Sequence, residues 1–167
     1  MRESKLTVGR VRELLTYDSE TGIFRWLVRP SSQVPAGSIA GSTDKRHGYV
    51  MIGIDTRLYF AHRIAWLYVT GAWPQHRIDH RNGFKGDNKF CNLRDVTQGV
   101  NLQNQRSPHS NNVSGYLGVS IDRARGGWVA TIKTDGKNKF LGRFDDPKEA
   151  SSAYLAAKSR LHVGSML

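Results

Sequence analysis

The chain has 167 residues, 25 Lys and Arg against 14 Asp and Glu, a net charge of +11 and a pI near 10.2. Hydrophobic residues make up 38%, too many for a disordered chain, and no apolar run is long enough for a transmembrane helix. The single cysteine, Cys91, excludes a disulfide framework and a cysteine-rich zinc site, and the N-terminal stretch lacks the apolar core of a signal peptide. The expectation is a cytoplasmic protein drawn to polyanions, nucleic acid being the commonest, with no membrane and no protein partner implied.

In chain order, Val8, Val11, Leu14 and Leu15 recur at helical spacing behind Thr7, a good N-cap. Thr21-Gly22 reads as a turn into a short strand holding Ile23, Phe24 and Trp26, and residues 29–41, rich in Ser, Pro, Ala and Gly, read as a loop. Residues 48–54 are β-like, with Tyr49, Met51 and Gly53 on one face, and Asp55-Thr56-Arg57 connects them to Leu58-Tyr59-Phe60 as a hairpin. Residues 61–69 form an amphipathic helix with Ile64, Ala65, Leu67 and Tyr68 inward and Gly71 as its stop. A further helix covers roughly 98–106, and the polar stretch 107–114 reads as a flexible linker. Beyond it, residues 116–121, 128–133 and 139–141 are β-like, separated by Gly126-Gly127 and Asp135-Gly136, and 147–162 is an Ala-rich helix with Pro147 in its first turn and Asp145 or Asp146 as cap.

The densest chemistry lies in Asp79, His80, Asn92 and Asn101. Cutting a phosphodiester needs an activated water and stabilisation of charge on the phosphate. A histidine can accept the water's proton near neutral pH. Asp carboxylate and Asn carbonyl oxygens suit a hard divalent cation. Each residue alone is more often a turn or cap residue; their concentration in one short span favours a site. Asp79 and His80 precede the turn Asn82-Gly83, and adjacent strand residues point to opposite faces, so both serve one site only where strand gives way to loop.

Residues 62–106 closely resemble the HNH endonucleases of phage and of phage-intron homing enzymes. The resemblance is carried by His62-Arg63, Asp79-His80-Arg81-Asn82-Gly83, Asp87-Asn88, Asn92-Leu93-Arg94 and Asn101 to Asn104, in order, with Asn92 twelve positions after His80 and Asn101 nine after Asn92. It implies an α+β fold with a ββα-metal module over 61–107, preceded by a β-rich leader over 1–60. It also implies His80 as the general base, Asn92 as the residue that fixes the loop and orients His80, and Asp79 and Asn101 as ligands of one divalent metal. Asn101 stands where many relatives have His, which favours Mg²⁺ or Mn²⁺ over a nitrogen-ligated transition metal. The leader resembles the segment that precedes such modules and carries no catalytic role in this reading; its aromatics read as core.

Residues 115–167 resemble the AP2/ERF DNA-binding domain, through Tyr116-Leu117-Gly118-Val119, Trp128 to Ile132, Leu141 to Asp145, and Glu149-Ala150 with Ala153-Tyr154 and Ala156-Ala157. The resemblance implies a three-stranded antiparallel sheet backed by a helix, entering double-stranded DNA through its outer face. The candidate contacts are Arg123, Arg125, Trp128, Lys133, Lys139 and Arg143, although Trp128 equally suits a core position at the sheet edge. Ser120 and Asp122 stand where plant relatives often carry Arg, so phosphate anchoring is expected ahead of base reading. The functional expectation is a metal-dependent, site-directed or homing-type DNA endonuclease. The alternative is a regulatory DNA-binding protein with a non-catalytic HNH module.

Overall fold

The computed structural model describes residues 6–162. The chain is α+β, with small antiparallel sheets, and resolves into two compact units, Met1–Thr97 and Gln98–Leu167. Among the described residues no helix is long and apolar enough to cross a membrane.

The first unit begins with helix α1 (Val8–Leu14), whose Thr7 side chain accepts from the Arg10 N–H at 3.2 Å. The helical period promised Leu15 to this helix, but the backbone extends there, and Leu15 opens strand β1 (Leu15–Asp18) opposite Trp26 of β2 (Ile23–Trp26). Leu15 is fully buried either way, and the extended form adds a sheet ladder. Strands β3 (Ser42–Thr43), β4 (Val50–Ile54) and β5 (Arg57–Phe60) make a three-stranded sheet in the order β3-β4-β5. Its core face carries Ile52 and Ile54, while Tyr49 and Met51 take the other. The β4–β5 turn places Asp55 and Thr56 at φ +47° and +65°, as a two-residue hairpin turn requires. Arg10 grips the Asp55 carboxylate with two hydrogen bonds, at 3.1 and 2.9 Å, and ties α1 to that turn.

Helix α2 (Ala61–Thr70) buries Ala61, His62, Ile64, Ala65 and Leu67, and Gly71, at φ +78°, ends it in the left-handed conformation. Strands β6 (Arg77–His80) and β7 (Leu93–Val96) then pair antiparallel, with Asp79 opposite Arg94 and His80 opposite Leu93. One apolar cluster, including Val11, Leu15, Phe24, Ile52, Ile64, Ile78 and Leu93, joins α1, all three sheets and α2. Each fully buried aliphatic side chain contributes about 1.5–3 kcal/mol.

The second unit opens with helix α3 (Gln98–Gln103), which the sequence reading had grouped with residues 61–107. A reason is visible beyond its end: the Lys158 ammonium, only 1% exposed, donates to the Gln105 carbonyl. Part of the stretch read as linker is also bonded. Asn112 donates to the Tyr116 and Val119 carbonyls at 3.2 and 3.3 Å, and the Ser114 hydroxyl bonds the same two at 3.1 and 2.9 Å. Strands β8 (Val119–Ile121), β9 (Trp128–Thr134) and β10 (Lys137–Phe144) form an antiparallel sheet in the order β10-β9-β8. Helix α4 (Pro147–Leu161), capped by Asp146 with Pro147 in its first turn, packs on the sheet through Ala150, Tyr154 and Ala157.

Candidate active site

The β6–β7 hairpin presents a thirteen-residue arc from His80 to Asn92, and side-chain amides brace it. The Asn92 Oδ1 accepts the Asn82 N–H at 3.0 Å, and its Nδ2 donates to the Asp87 carbonyl at 2.8 Å. One buried amide therefore spans the two arms of the loop. Asn82 adds a bond from Nδ2 to Asp87 Oδ2 at 2.7 Å, and Arg81 N–H donates to the Asn92 carbonyl at 2.9 Å. A buried amide with both ends satisfied fixes backbone geometry, because leaving either end unmade costs about 1–3 kcal/mol.

Asp79 and His80 are both buried, at the end of β6. Asp79 Oδ2 accepts from Arg94 Nε at 2.8 Å and lies 2.7 Å from Arg94 Nη2. His80 is 3% exposed, and its Nε2 lies 3.5 Å from Asn88 Oδ1. The orientation of that amide follows from its other end, since Asn88 Nδ2 donates to the Gly86 carbonyl at 3.3 Å. The oxygen then faces the imidazole. Burial pushes the His80 pKa below its usual value; the Asn88 bond and the nearby Asp79 and Asp87 carboxylates oppose that shift. A neutral imidazole is the form that accepts a proton.

His62 packs edge-to-face on His80, with ring centroids 5.1 Å apart and planes at 84°, and stacks on Phe60 at 5.3 Å. Tyr49 lies 5.2 Å from His62 and 6.1 Å from His80, and Lys85 Nζ sits 4.9 Å over the Tyr49 ring. His62 Nδ1 is buried without a hydrogen-bond partner among the described residues. Burial, then the charges of His80 and Arg63, push the His62 pKa down to about 3 from 6.5. Above pH 6.5 the folded and unfolded chains both hold His62 neutral. Between 6.5 and about 3 the unfolded chain takes up a proton that the folded protein refuses, so stability falls as pH falls. The full loss is on the order of 5 kcal/mol. Urea unfolding from pH 7 to pH 4 should show this slope, and His62→Gln should flatten it; an equal slope in both proteins would assign it elsewhere.

Asp79, His80 and Asn92 are thus brought together in the first unit, while Asn101 stands on α3 and belongs to the second. Sequence reasoning quoted Asp87-Asn88, His62 and Arg94 as motif letters without giving them work, yet Asn88 faces His80, His62 packs on it and Arg94 holds Asp79. Among the described residues no three His, Cys, Asp or Glu side chains converge into a metal cage. The Asp79 carboxylate is an oxygen donor of the kind a Mg²⁺-like ion takes, since such an ion commonly binds one or two carboxylates and completes its shell with water and substrate phosphate.

The second unit separates the candidate contacts by face. Register puts Lys133, Arg143 and the exposed Phe140 on the side of Ser120, Val129 and Thr131, away from α4. Trp128 shares the opposite side with Ala130 and Ile132 and packs on the core, and Lys139 lies opposite Ile132 on that same side. Arg123 and Arg125 are exposed in the β8–β9 turn, where Asp122 accepts the Arg125 N–H at 3.1 Å and pairs with Arg143 at 2.6 Å.

Residues 59–103 match the family model of the HNH endonucleases. The matched segment, from β5 into α3, contains Asp79, His80 and Asn92 and supports a nuclease, with DNA as the substrate that such a domain implies. No curated protein and no solved structure matches the chain.

Proposed function

We propose that this chain is a metal-dependent, site-directed DNA endonuclease that hydrolyses phosphodiester bonds, with His80 as general base. The carrying observation is a buried Asp79-His80 pair, inside the HNH-matched segment, at the mouth of a loop that Asn92 holds across both arms. His80 takes the proton of the attacking water at Nδ1 while its Nε2–H rests on Asn88. Asn92 keeps the loop from relaxing away from His80. Asp79 and, by the family pattern, Asn101 would hold a divalent ion, Mg²⁺ or Mn²⁺. When bound, that ion neutralises the charge that develops on the phosphate oxygens.

The second unit supplies affinity and register in this reading. Its antiparallel three-stranded sheet and packed helix are compatible with the AP2-like reading, and its outer face carries Lys133 and Arg143, with Arg123 and Arg125 at one end. DNA binding in EDTA should weaken linearly on a log–log salt plot, and Lys133→Ala should reduce that slope by about one unit. Lys139→Ala, on the other face, should change it less; equal effects would remove the assignment of faces.

The deciding assay is a supercoiled plasmid with Mg²⁺ or Mn²⁺ against an EDTA control. One active site cuts one strand per visit, so nicked circles should appear only with metal. Tight binding without cutting under either ion would instead support a regulatory DNA-binding protein.

A further inference from the structure

We propose that the N-terminal hairpin β1–β2 is a positioning element for the base, in which Tyr17 and the Gly22 turn clamp the Asn88 segment so that the Asn88 amide holds His80 by Nε2. The inference rests on the reading of His80 as general base, and it gives a task to a segment outside residues 59–103.

Three contacts join the hairpin to the loop. The Tyr17 hydroxyl donates to the Asn88 carbonyl at 2.6 Å. The Phe90 N–H donates to the Ser19 carbonyl at 3.1 Å, on the far side of the same dipeptide. Gly22, at φ +74°, lies so close that a Cβ there would stand 2.5 Å from both the Asn88 carbonyl carbon and the Lys89 nitrogen. Both contacting atoms are backbone, so no side-chain rotation relieves the clash. The tip of the hairpin is held in turn by Asp18, which accepts the Glu20 N–H at 2.9 Å and the Thr21 hydroxyl at 2.8 Å.

Tyr17 is rigid on its own side. Its ring lies 4.6 Å from Phe24 of β2 and 5.8 Å from Tyr68 of α2, and Arg12 sits 5.3 Å over Tyr68. Burial raises the Tyr17 pKa, so the hydroxyl stays protonated and remains a donor. The backbone of Asn88 is thereby pinned, and its side chain, itself 3% exposed, has little freedom to leave His80. A base whose nitrogen is misplaced by a fraction of an ångström loses rate without losing substrate affinity.

The test uses the full chain with Tyr17→Phe, which removes one oxygen and keeps the ring, and with Gly22→Ala, which forces the loop outward. Expected for Tyr17→Phe is a turnover number lower by roughly ten- to hundredfold at saturating DNA, with KM and EDTA-state DNA affinity unchanged. Nitrogen-15 NMR of the histidines should show His80 shifting from the Nε2–H tautomer toward a mixture, more strongly in Gly22→Ala. Unaltered turnover with an unaltered His80 tautomer would overturn the proposal, as would a parallel fall of turnover and DNA affinity. If the unaltered chain does not cut, or His80→Ala cuts normally, the base assignment fails instead. The tautomer measurement still decides whether the hairpin orients His80.

Discussion

His80→Ala is expected to slow metal-dependent plasmid nicking by about 10²–10⁴-fold while leaving DNA binding in EDTA intact. The magnitude follows from what the side chain does. It is the buried imidazole at the end of β6, proposed as the base, with Nε2 3.5 Å from Asn88 Oδ1. Alanine deletes that nitrogen without touching the second unit, whose exposed Arg123, Arg125, Lys133 and Arg143 are the proposed DNA contacts. His80→Gln makes a useful companion, because it fills more of the space next to His62 and Tyr49 yet cannot act as a base near neutral pH. Both variants should be equally slow. A glutamine variant that cuts at the original rate would make His80 a packing residue and move the search for the base elsewhere.

Arg94→Leu should lower the unfolding free energy by about 3 kcal/mol, read in urea. The guanidinium and the Asp79 carboxylate are 13% and 10% exposed at their side chains and meet at 2.7 Å across the β6–β7 ladder. Removing the cation keeps the carboxylate charge in a mostly dry setting where little solvent can reach it. Replacing both partners by apolar residues should restore much of the loss, because the desolvation of the charges goes with them. A single and a double variant of equal stability would mean the pair contributes through packing rather than charge.

Elements whose signals are local were legible. Thr7 ahead of spaced valines, Gly71 after an amphipathic run, Asp135-Gly136 and Asp146-Pro147 each encode their geometry within a few residues. Leu15 was misplaced because the helical period runs one residue past the helix, and only pairing with Trp26, eleven positions on, decides the extended form. The core face of β4 was not apparent because Tyr49, Met51, Ile52 and Ile54 are all apolar enough for either side. Asp79, His80 and Asn92 stood out as a pattern of polar residues in one span. Their partners did not, because Asn88 reaches His80 through the fold of a loop and Tyr17 reaches Asn88 across 71 positions of sequence. Trp128 shows the limit of a motif letter: its face is set by strand register, and register puts it with Ala130 and Ile132.

Gly22 sets a condition on grafting. A nuclease excised at residues 59–103 and fused to a different targeting protein would carry Asp79, His80 and Asn92 but leave behind the turn that abuts Asn88 and Lys89. The transplant would need residues 15–26 as well, or a new support under the loop built to the same backbone separation. For the same reason a side chain at position 22 is tolerable only if residues 88 and 89 move with it, so exchanges at these two distant places in the chain are expected to be accepted in pairs.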